Sequence, residues 1–248
     1  YFRYICVQNR SMYTEYQPSH LLVPYIDSYW EFKGNPDYGM RIHILPDGCT
    51  DFIFTWGEVA NAVEEGSLIM QPYRSYFVGP MTKYSELVTY TESIHMFGVR
   101  FLPCGLSCFT NLPLHEFVNS RVSTNEMKAV FDDTFIEKLG EQKHVTDRIR
   151  VVEEYLLAYL ARHYQPADSH VAMAVNMINH SKGKRSVRSL MDDVCLCQRH
   201  FERKFKHYTG FTPKEYSRIV KFKNAVELLR TTTSANLLTT AVDAGYYD

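Results

Sequence analysis

The sequence predicts an α+β chain, with a β-rich front domain that carries helices behind it and an all-α domain towards its C-terminal end. Three observations support this prediction. Residues 13–101 are rich in Tyr, Phe, Ile and Val and are punctuated by Gly, Pro, Asn and Asp, which is typical of short strands joined by turns. After Pro103 the apolar residues recur at helical spacing. The positive charge is concentrated in the last part of this helical region.

The net charge of the 248 residues is only −1, but it is unevenly distributed. From residue 180 onward there are 13 Lys and Arg against 7 Asp and Glu, whereas residues 1–179 hold 14 against 21. Such asymmetry indicates an acidic module joined to one that meets an anionic partner.

Composition and motifs exclude several classes of protein. No apolar run reaches the roughly 18–20 residues of a membrane-spanning helix. The opening YFRYICVQNRSM lacks the pattern of a secretory signal, and we assign residues 1–12 to a non-native or disordered lead, with Met12 as a candidate start. The six cysteines form no CxxC pair, which favours free thiols in a reducing compartment. We therefore expect a cytoplasmic protein without a membrane partner.

The strand predictions cover most of the front region, and their spacing favours an antiparallel sandwich or small barrel. Asp47-Gly48 is a dipeptide typical of turns, and Pro46 before it fixes a backbone φ that suits a turn. A short helix is predicted after Pro18. The predicted strand segments are SYWEFKG, RIHILPDGCTDFIFTW, SLIMQPYRSYFVGP and SELVTYTESIHMFGVRF.

Helices are predicted at residues 104–111, 123–139 and 145–164. The last has an apolar stripe at alternating steps of four and three residues, which serves either packing on its own domain or dimerisation. Residues 165–170, QPADSH, form the predicted linker. The predicted domains are thus a sensor or dimerisation domain at 13–165 (β-rich at 13–103, helical at 104–165) and a second domain at 166–248.

The second domain contains two short helices joined by a three-residue turn. Ser186 caps the first helix, 187–194, and the turn is Cys195-Leu196-Cys197. In the second helix, 198–208, the apolar positions Phe201, Phe205 and Tyr208 predict the buried face. The side chains that then point outward are Gln198, Arg199, Glu202, Arg203 and Lys206.

A third helix follows this pair. Gly210 stands where a glycine ends a helix, and Thr212-Pro213-Lys214-Glu215 is a capping box that begins the next one. Two helices separated by a short turn, the second cationic on its exposed face, form a helix-turn-helix that can enter the major groove of DNA. The alternative is a solvated basic surface without a partner.

The stretch SVRSLMDDVCLCQRHFERKFKHYTGFTPKEYSRIVKFKNAVELLR resembles the first half of the DNA-binding domain of AraC/XylS-type transcription regulators. Phe205, Gly210, Pro213 and Tyr216 fall at that family's intervals, and ANLLTTAVDAGYYD resembles the start of its second helix-turn-helix. The resemblance implies a transcription regulator, an activator by expectation. It places base contacts at Gln198, Arg199, Glu202 and Arg203, and phosphate contacts at Lys206, Arg218, Lys221 and Lys223.

The sequence departs from that family's pattern at several places, including Lys221, where Arg is common, and Thr240, where an aliphatic residue is common. Cys195 stands where a glycine is usual in the turn, and Cys197 where a Ser or Thr cap is usual. The second helix-turn-helix stops at Asp248, its expected N-cap. We therefore expect a C-terminally truncated chain that binds DNA weakly.

The front region is similar to the N-terminal sensor domains of such regulators, which are small, cupin-like barrels. By implication the partners are double-stranded DNA, a small-molecule effector and RNA polymerase, and the chain forms a homodimer; no cofactor is implied. Polar and aromatic strand residues are the candidates for an effector pocket. They are Tyr29, Trp30, His43, Asp51, Phe54 and Arg100.

An enzymatic front domain is the rival hypothesis. Cys49 and Cys104 keep open a cysteine-based transferase, or a thiol sensor, fused to a DNA-binding tail. Cys104 and Cys108, four residues apart, could also supply two ligands of a metal site or form a disulfide. His43 stands alone rather than in a His-x-His run, and no nucleotide-binding glycine motif or local nucleophile triad is present. The sequence therefore predicts no metal site, no catalytic residues and no enzyme.

Overall fold

A computed structural model of the chain describes residues 5–7, 12–58, 70–127, 130–131, 133–231 and 237–246. Within them the front part is built from antiparallel strands, and the rest is helical. The strands are β1 Ile5–Val7, β2 Tyr13–Tyr16, β3 Ile26–Gly34, β4 Met40–Ile44, β5 Thr50–Thr55, β6 Arg74–Val78, β7 Ser85–Thr89, β8 Ile94–Phe101 and β9 Arg121–Ser123. The helices are α1 Asp133–Gly140, α2 Val145–His163, α3 Ser169–His180, α4 Val187–Val194, α5 Gln198–Thr209, α6 Pro213–Thr231 and α7 Leu237–Ala244.

The strands form two antiparallel sheets. The larger has the order β2-β3-β8-β5-β6-β9 and the smaller the order β1-β4-β7. Side chains alternate across each strand, so Trp30 and Ile53 of the larger sheet pack with Met40 and Ile42 of the smaller one. This confirms the predicted α+β class, with a β-rich front part and helices after it.

The opposite face of the larger sheet is covered by helices α1 and α2. Tyr29, Phe52 and Phe54 are fully buried there, together with Leu139 of α1 and Leu156 of α2. Several of the rings contact one another edge to face, for example Phe52 and Phe131 with centroids 5.1 Å apart. The strands that pack on both faces are therefore apolar at consecutive positions rather than alternating.

Some local predictions for the front part were wrong. Residues 5–7, which belong to the predicted lead at 1–12, are not disordered: they form β1 and pair with β4 in register Cys6↔His43. The predicted helix 123–139 is reduced to α1, because Ser123 ends β9, which pairs with β6, and Thr124–Glu126 form a 3₁₀ turn. The predicted helix 104–111 is a single 3₁₀ turn at Gly105–Cys108. The chain after Pro18 forms turns, not a helix.

Helix α2 packs on the front part through its apolar stripe, with Val152 and Leu156 fully buried. Its buried Arg148 is held at several points. The guanidinium donates to Glu31 Oε1 at 3.0 Å and to the carbonyl oxygens of Leu139 and Gln142, at 3.2 and 2.8 Å. It also lies over the Trp56 ring, 4.7 Å from the centroid. These contacts explain how the sheet holds a charged residue that is 4% exposed.

The helices from α3 onward have a core of their own. Val171 and Ile178 of α3, Leu190 of α4 and Phe201 and Phe205 of α5 are completely buried. Residues 164–168, between α2 and α3, form neither helix nor strand, close to the predicted linker 165–170. Among the described residues, no helix combines the length and apolar character needed to cross a membrane.

The front part contacts these C-terminal helices directly. Gly48 lies against Tyr216 of α6, and the Lys223 ammonium of α6 donates to the Asp47 carbonyl oxygen at 3.0 Å. Cys104 follows β8 but packs into the core of the C-terminal helices. The 3₁₀ turn Leu114–Phe117 meets α5, with the rings of His115 and His207 6.3 Å apart. The front part therefore touches both α5 and α6.

Candidate nucleic-acid interface

Helices α4 and α5 are joined by the three-residue turn that the sequence predicts. Ser186 caps α4 by accepting the Ser189 N–H at 3.1 Å. Cys195 takes the left-handed conformation, with φ 53° and ψ 32°, and so turns the chain between the helices. Cys197 occupies the N-cap of α5 without a side-chain cap bond. The turn keeps the glycine-like geometry although it lacks the glycine.

The orientation of α5 is set by its buried side. Phe201 and Phe205 are completely buried, with ring centroids 5.6 Å apart, whereas Tyr208 is only partly buried. Lys204 reaches back to α3, where it donates to Asp168 Oδ2 at 2.6 Å. That carboxylate also caps α3, so α5 is fixed against α3 by both apolar contacts and an ion pair.

The opposite side of α5 presents a cationic row. Arg199, Arg203 and Lys206 are exposed, and i, i+4, i+7 spacing places them on one face. No described residue forms an ion pair with any of the three. Gln198 donates to Glu202 Oε1 at 2.9 Å, so these two polar side chains lie paired beside the row. The face can therefore offer free guanidinium forks to an anionic surface.

The four predicted phosphate-contacting residues differ in their surroundings. Lys206 and Arg218 are exposed. Lys221 donates to the Gly245 carbonyl oxygen at 2.9 Å, which ties α6 to the end of α7. Lys223 is half-buried and donates to the front part at Asp47. Only the first two are open to a ligand in this arrangement.

Helix α6 begins at the predicted capping box. The Thr212 N–H donates to Glu215 Oε2 at 2.7 Å, and the Glu215 N–H donates to Thr212 Oγ1 at 3.2 Å. Gly210, with φ 83°, ends α5 as predicted. Tyr216 is 1% exposed and donates to Asn179 Oδ1 at 3.0 Å. Burial raises its pKa well above the usual value, so the hydroxyl stays protonated and able to donate.

The six predicted effector-pocket residues lie in three places. Trp30, Asp51 and Arg100 come together: the indole N–H donates to Asp51 Oδ1 at 2.7 Å, and Arg100 Nε lies 3.3 Å from the same oxygen. Tyr29 and Phe54 face the other core, beneath α1 and α2. His43 is on the smaller sheet, stacked on Tyr84.

The Arg100 cluster is buried and rich in acids. Asp47 and Glu15 also approach the guanidinium, each at 3.5 Å. Burial raises the pKa of Asp51 to about 6, although Arg100 opposes this shift. Because Asp47 belongs to the loop that touches α6, this cluster adjoins the contact between the two parts.

The cysteines that kept an enzymatic hypothesis open lack the features of nucleophiles. Cys49 and Cys104 are buried, and burial raises the pKa of both thiols. An activated thiol needs the opposite shift, towards the thiolate. Among the described residues, no three His, Cys, Asp or Glu side chains cluster closely enough to hold a metal ion.

Two contacts of this region had no signal in the sequence. Asp47-Gly48 predicted a turn, but nothing indicated that Tyr216 would lie against it. Similarly, Cys104 follows a front strand, yet packs with Val171 and Val175 of α3. Both contacts join segments far apart in the chain, and only the packing of the two parts brings them together.

The model of a domain of unknown function, DUF6597, matches residues 14–123. No curated protein matches.

Solved structures that are similar to this chain include those of ToxT from Vibrio cholerae. A 1.65 Å structure has a TM-score of 0.46 and 8% identity, and the alignment covers 98% of this chain and 89% of that one. A structure of ToxT bound to an unsaturated fatty acid has a TM-score of 0.44 and 10% identity, covering 98% and 86%. Because these TM-scores and sequence identities are low, the similarity to ToxT carries no argument about function, and function is argued from the residues of this chain.

Proposed function

We propose that this chain is a sequence-specific DNA-binding transcription regulator, in which α5 enters the major groove. The observation that carries this proposal is the exposed row of Arg199, Arg203 and Lys206, which has no ion-pair partner among the described residues, on a helix whose other side is fixed by Phe201 and Phe205. An exposed arginine fork matches the O6 and N7 acceptors of guanine. The partner is therefore double-stranded DNA.

The proposal extends to the division of labour along the chain. Residues 166–248 form the DNA-binding domain, and residues 13–165 sense a small molecule or mediate dimerisation. The positive charge from residue 180 onward supports the first assignment, because it supplies the sequence-independent attraction to phosphates. A location in the cytoplasm and contact with RNA polymerase follow as predictions from this role.

Selection from a random duplex library, followed by anisotropy titrations, tests the proposal. On the selected site, we expect Arg203→Ala to cost about 1–3 kcal/mol, because it removes a base contact. Lys206→Ala should weaken binding to selected and random DNA alike and lower the salt slope by about 1, since it removes a phosphate contact. Arg162→Ala, at an exposed position of α2, is the matched control and should change neither affinity.

Two results would count against this assignment. If the library yields no enriched sequence and the chain shows no salt-dependent binding, the chain is not a DNA-binding regulator. If Arg203→Ala and Lys206→Ala have the same effect on selected and random duplexes, α5 contacts only the backbone, and the base contacts lie elsewhere.

A further inference from the structure

A cleft of about 390 Å³ opens where the front part, the connecting segment and α3 meet. Tyr25 and Cys104 line it from the front part, Ala167 from the connecting segment, and Ala172 and Asn179 from α3. It is separate from the Arg100 cluster, which shares none of these residues. The size falls in the range of small-molecule sites, roughly 300–1,000 Å³.

The lining of the cleft defines the chemistry of an occupant. Apolar and aromatic groups predominate, and none of the described residues that line the cleft has a charged side chain. A charged ligand would lose its hydration here without gaining a counter-charge, which is costly. The polar groups include the side-chain amides of Asn176 and Asn179. Asn179 Oδ1 accepts the Tyr216 hydroxyl, and no described residue accepts the Nδ2 hydrogens, so that amide can donate into the cleft.

From these features we infer that the cleft binds a neutral, largely apolar small molecule that accepts a hydrogen bond from the Asn179 amide. The interpretation of the cleft as an effector site rests on the proposed function, but the binding of a ligand in the cleft does not. The walls come from both parts of the chain, so the ligand binds the arrangement in which they are together and stabilises it.

The site also has a direct physical connection to the proposed DNA-binding helix. The Asn179 amide that faces the ligand holds the Tyr216 hydroxyl at 3.0 Å. The Tyr216 ring in turn packs on Phe205 of α5, with centroids 5.9 Å apart. A ligand on Asn179 is thus one side chain away from the core that orients α5.

The test uses a neutral fluorescent ketone, 6-propionyl-2-(dimethylamino)naphthalene, whose emission shifts to the blue in apolar surroundings. We expect saturable binding of one equivalent by the full chain. Ala172→Trp, which fills the cleft, should weaken it by about tenfold or more. Ala158→Trp, at an exposed position of α2 outside the lining, should change the affinity for the ketone by less than about twofold. An anionic naphthalene, 1-anilinonaphthalene-8-sulfonate, should not displace the ketone at equal concentration.

A second variant guards against a folding defect in the first. Asn179→Leu keeps the branched shape and the number of side-chain heavy atoms at an exposed position of α3 but removes the donor, so it should also weaken binding of the ketone by about tenfold. The absence of saturable binding, or binding that neither Ala172→Trp nor Asn179→Leu weakens in a chain with native circular dichroism, would overturn the inference. The titration contains no DNA. If the chain binds the ketone as expected but does not bind DNA, the proposed function is refuted and the cleft site is still supported.

Discussion

Cys195 shows how a single residue fits a turn to which it is poorly suited. Its φ of 53° lies in the left-handed region. There a Cβ atom clashes with the backbone, whereas glycine has no Cβ atom and avoids the clash. The two residues that follow, up to Cys197, complete a turn in which no side chain caps α5. The turn geometry is therefore maintained by packing of the flanking helices through Val194 and Phe201, both at most 1% exposed.

Replacing Cys195 by glycine should stabilise the protein. We expect Cys195→Gly to raise the free energy of unfolding by about 0.5–1 kcal/mol, because the steric penalty of the left-handed conformation disappears. Urea-induced unfolding followed by circular dichroism measures this change. Cys195→Ala is the control: it removes the thiol but retains the Cβ atom, so an equal gain in that variant would mean that the conformation is not the cause.

At the scale of elements, Arg148 fixes α2 to the larger sheet. Its side chain is 5% exposed and pairs with Glu31 of β3, which His95 of β8 also contacts at 3.2 Å. The interaction with His95 and, to a lesser extent, with Arg148 lowers the pKa of Glu31. One helix residue thus connects two neighbouring strands of the sheet.

We expect Arg148→Met to lower the free energy of unfolding at pH 7 by about 3–5 kcal/mol, because it leaves a largely buried carboxylate without its guanidinium. Arg150→Met changes an exposed arginine of the same helix, whose pair with Asp147 lies at the surface, and should cost at most about 0.5 kcal/mol. Chemical denaturation of the two variants gives the comparison, and equal losses would contradict a structural role for the Arg148 pair.

The same pair predicts a pH dependence. The folded-state pKa of Glu31 lies below its usual value of 4.5, so its stabilising effect is present above that value and is lost as the pH falls through the folded pKa. The deficit of Arg148→Met should accordingly shrink in acid, since a protonated Glu31 no longer needs a counter-charge. A deficit that stays constant from pH 7 into this acidic range would show that apolar packing, not charge, accounts for it.

At the scale of the whole molecule, the loop at Gly48 governs how the front part meets α6. A Cβ atom on Gly48 would lie 2.8 Å from Tyr216 Cε2, closer than packed atoms allow. Lys223, one of the predicted phosphate contacts, is held by the same loop at Asp47. The two parts are therefore joined by a close steric fit and a hydrogen bond from a cationic side chain.

Gly48→Ala and Gly39→Ala form a matched pair, because both glycines have a left-handed φ, 84° and 77°, but nothing lies within 4 Å of a Cβ on Gly39. Both variants should lose about 1 kcal/mol from the backbone. Gly48→Ala should lose a further 1–3 kcal/mol or so through the contact with Tyr216, and should be cleaved faster by protease within residues 164–168. Equal stability and equal cleavage of the two variants would show that the fit is not tight.

The sequence by itself determined the elements whose signals are local. The ends of α4, α5 and α6 follow from Ser186, Gly210 and the Thr212–Glu215 box, because caps act within one turn of a helix. Phe201 and Phe205 likewise determined which face of α5 is exposed, since helical spacing alone separates the two faces. The α+β order of the chain was predictable for the same reason.

Only the tertiary structure decided which distant segments meet. It divided the six pocket candidates among two cores and an outer sheet face, as with Trp30, Phe54 and His43, because burial depends on which strand faces which. It placed Ser123, the first residue of a predicted helix, at the end of a strand beside β6. It also engaged Lys223 with the front part and formed the cleft at Asn179. Contacts between remote residues arise from how whole surfaces pack, and no local pattern in the chain carries that information.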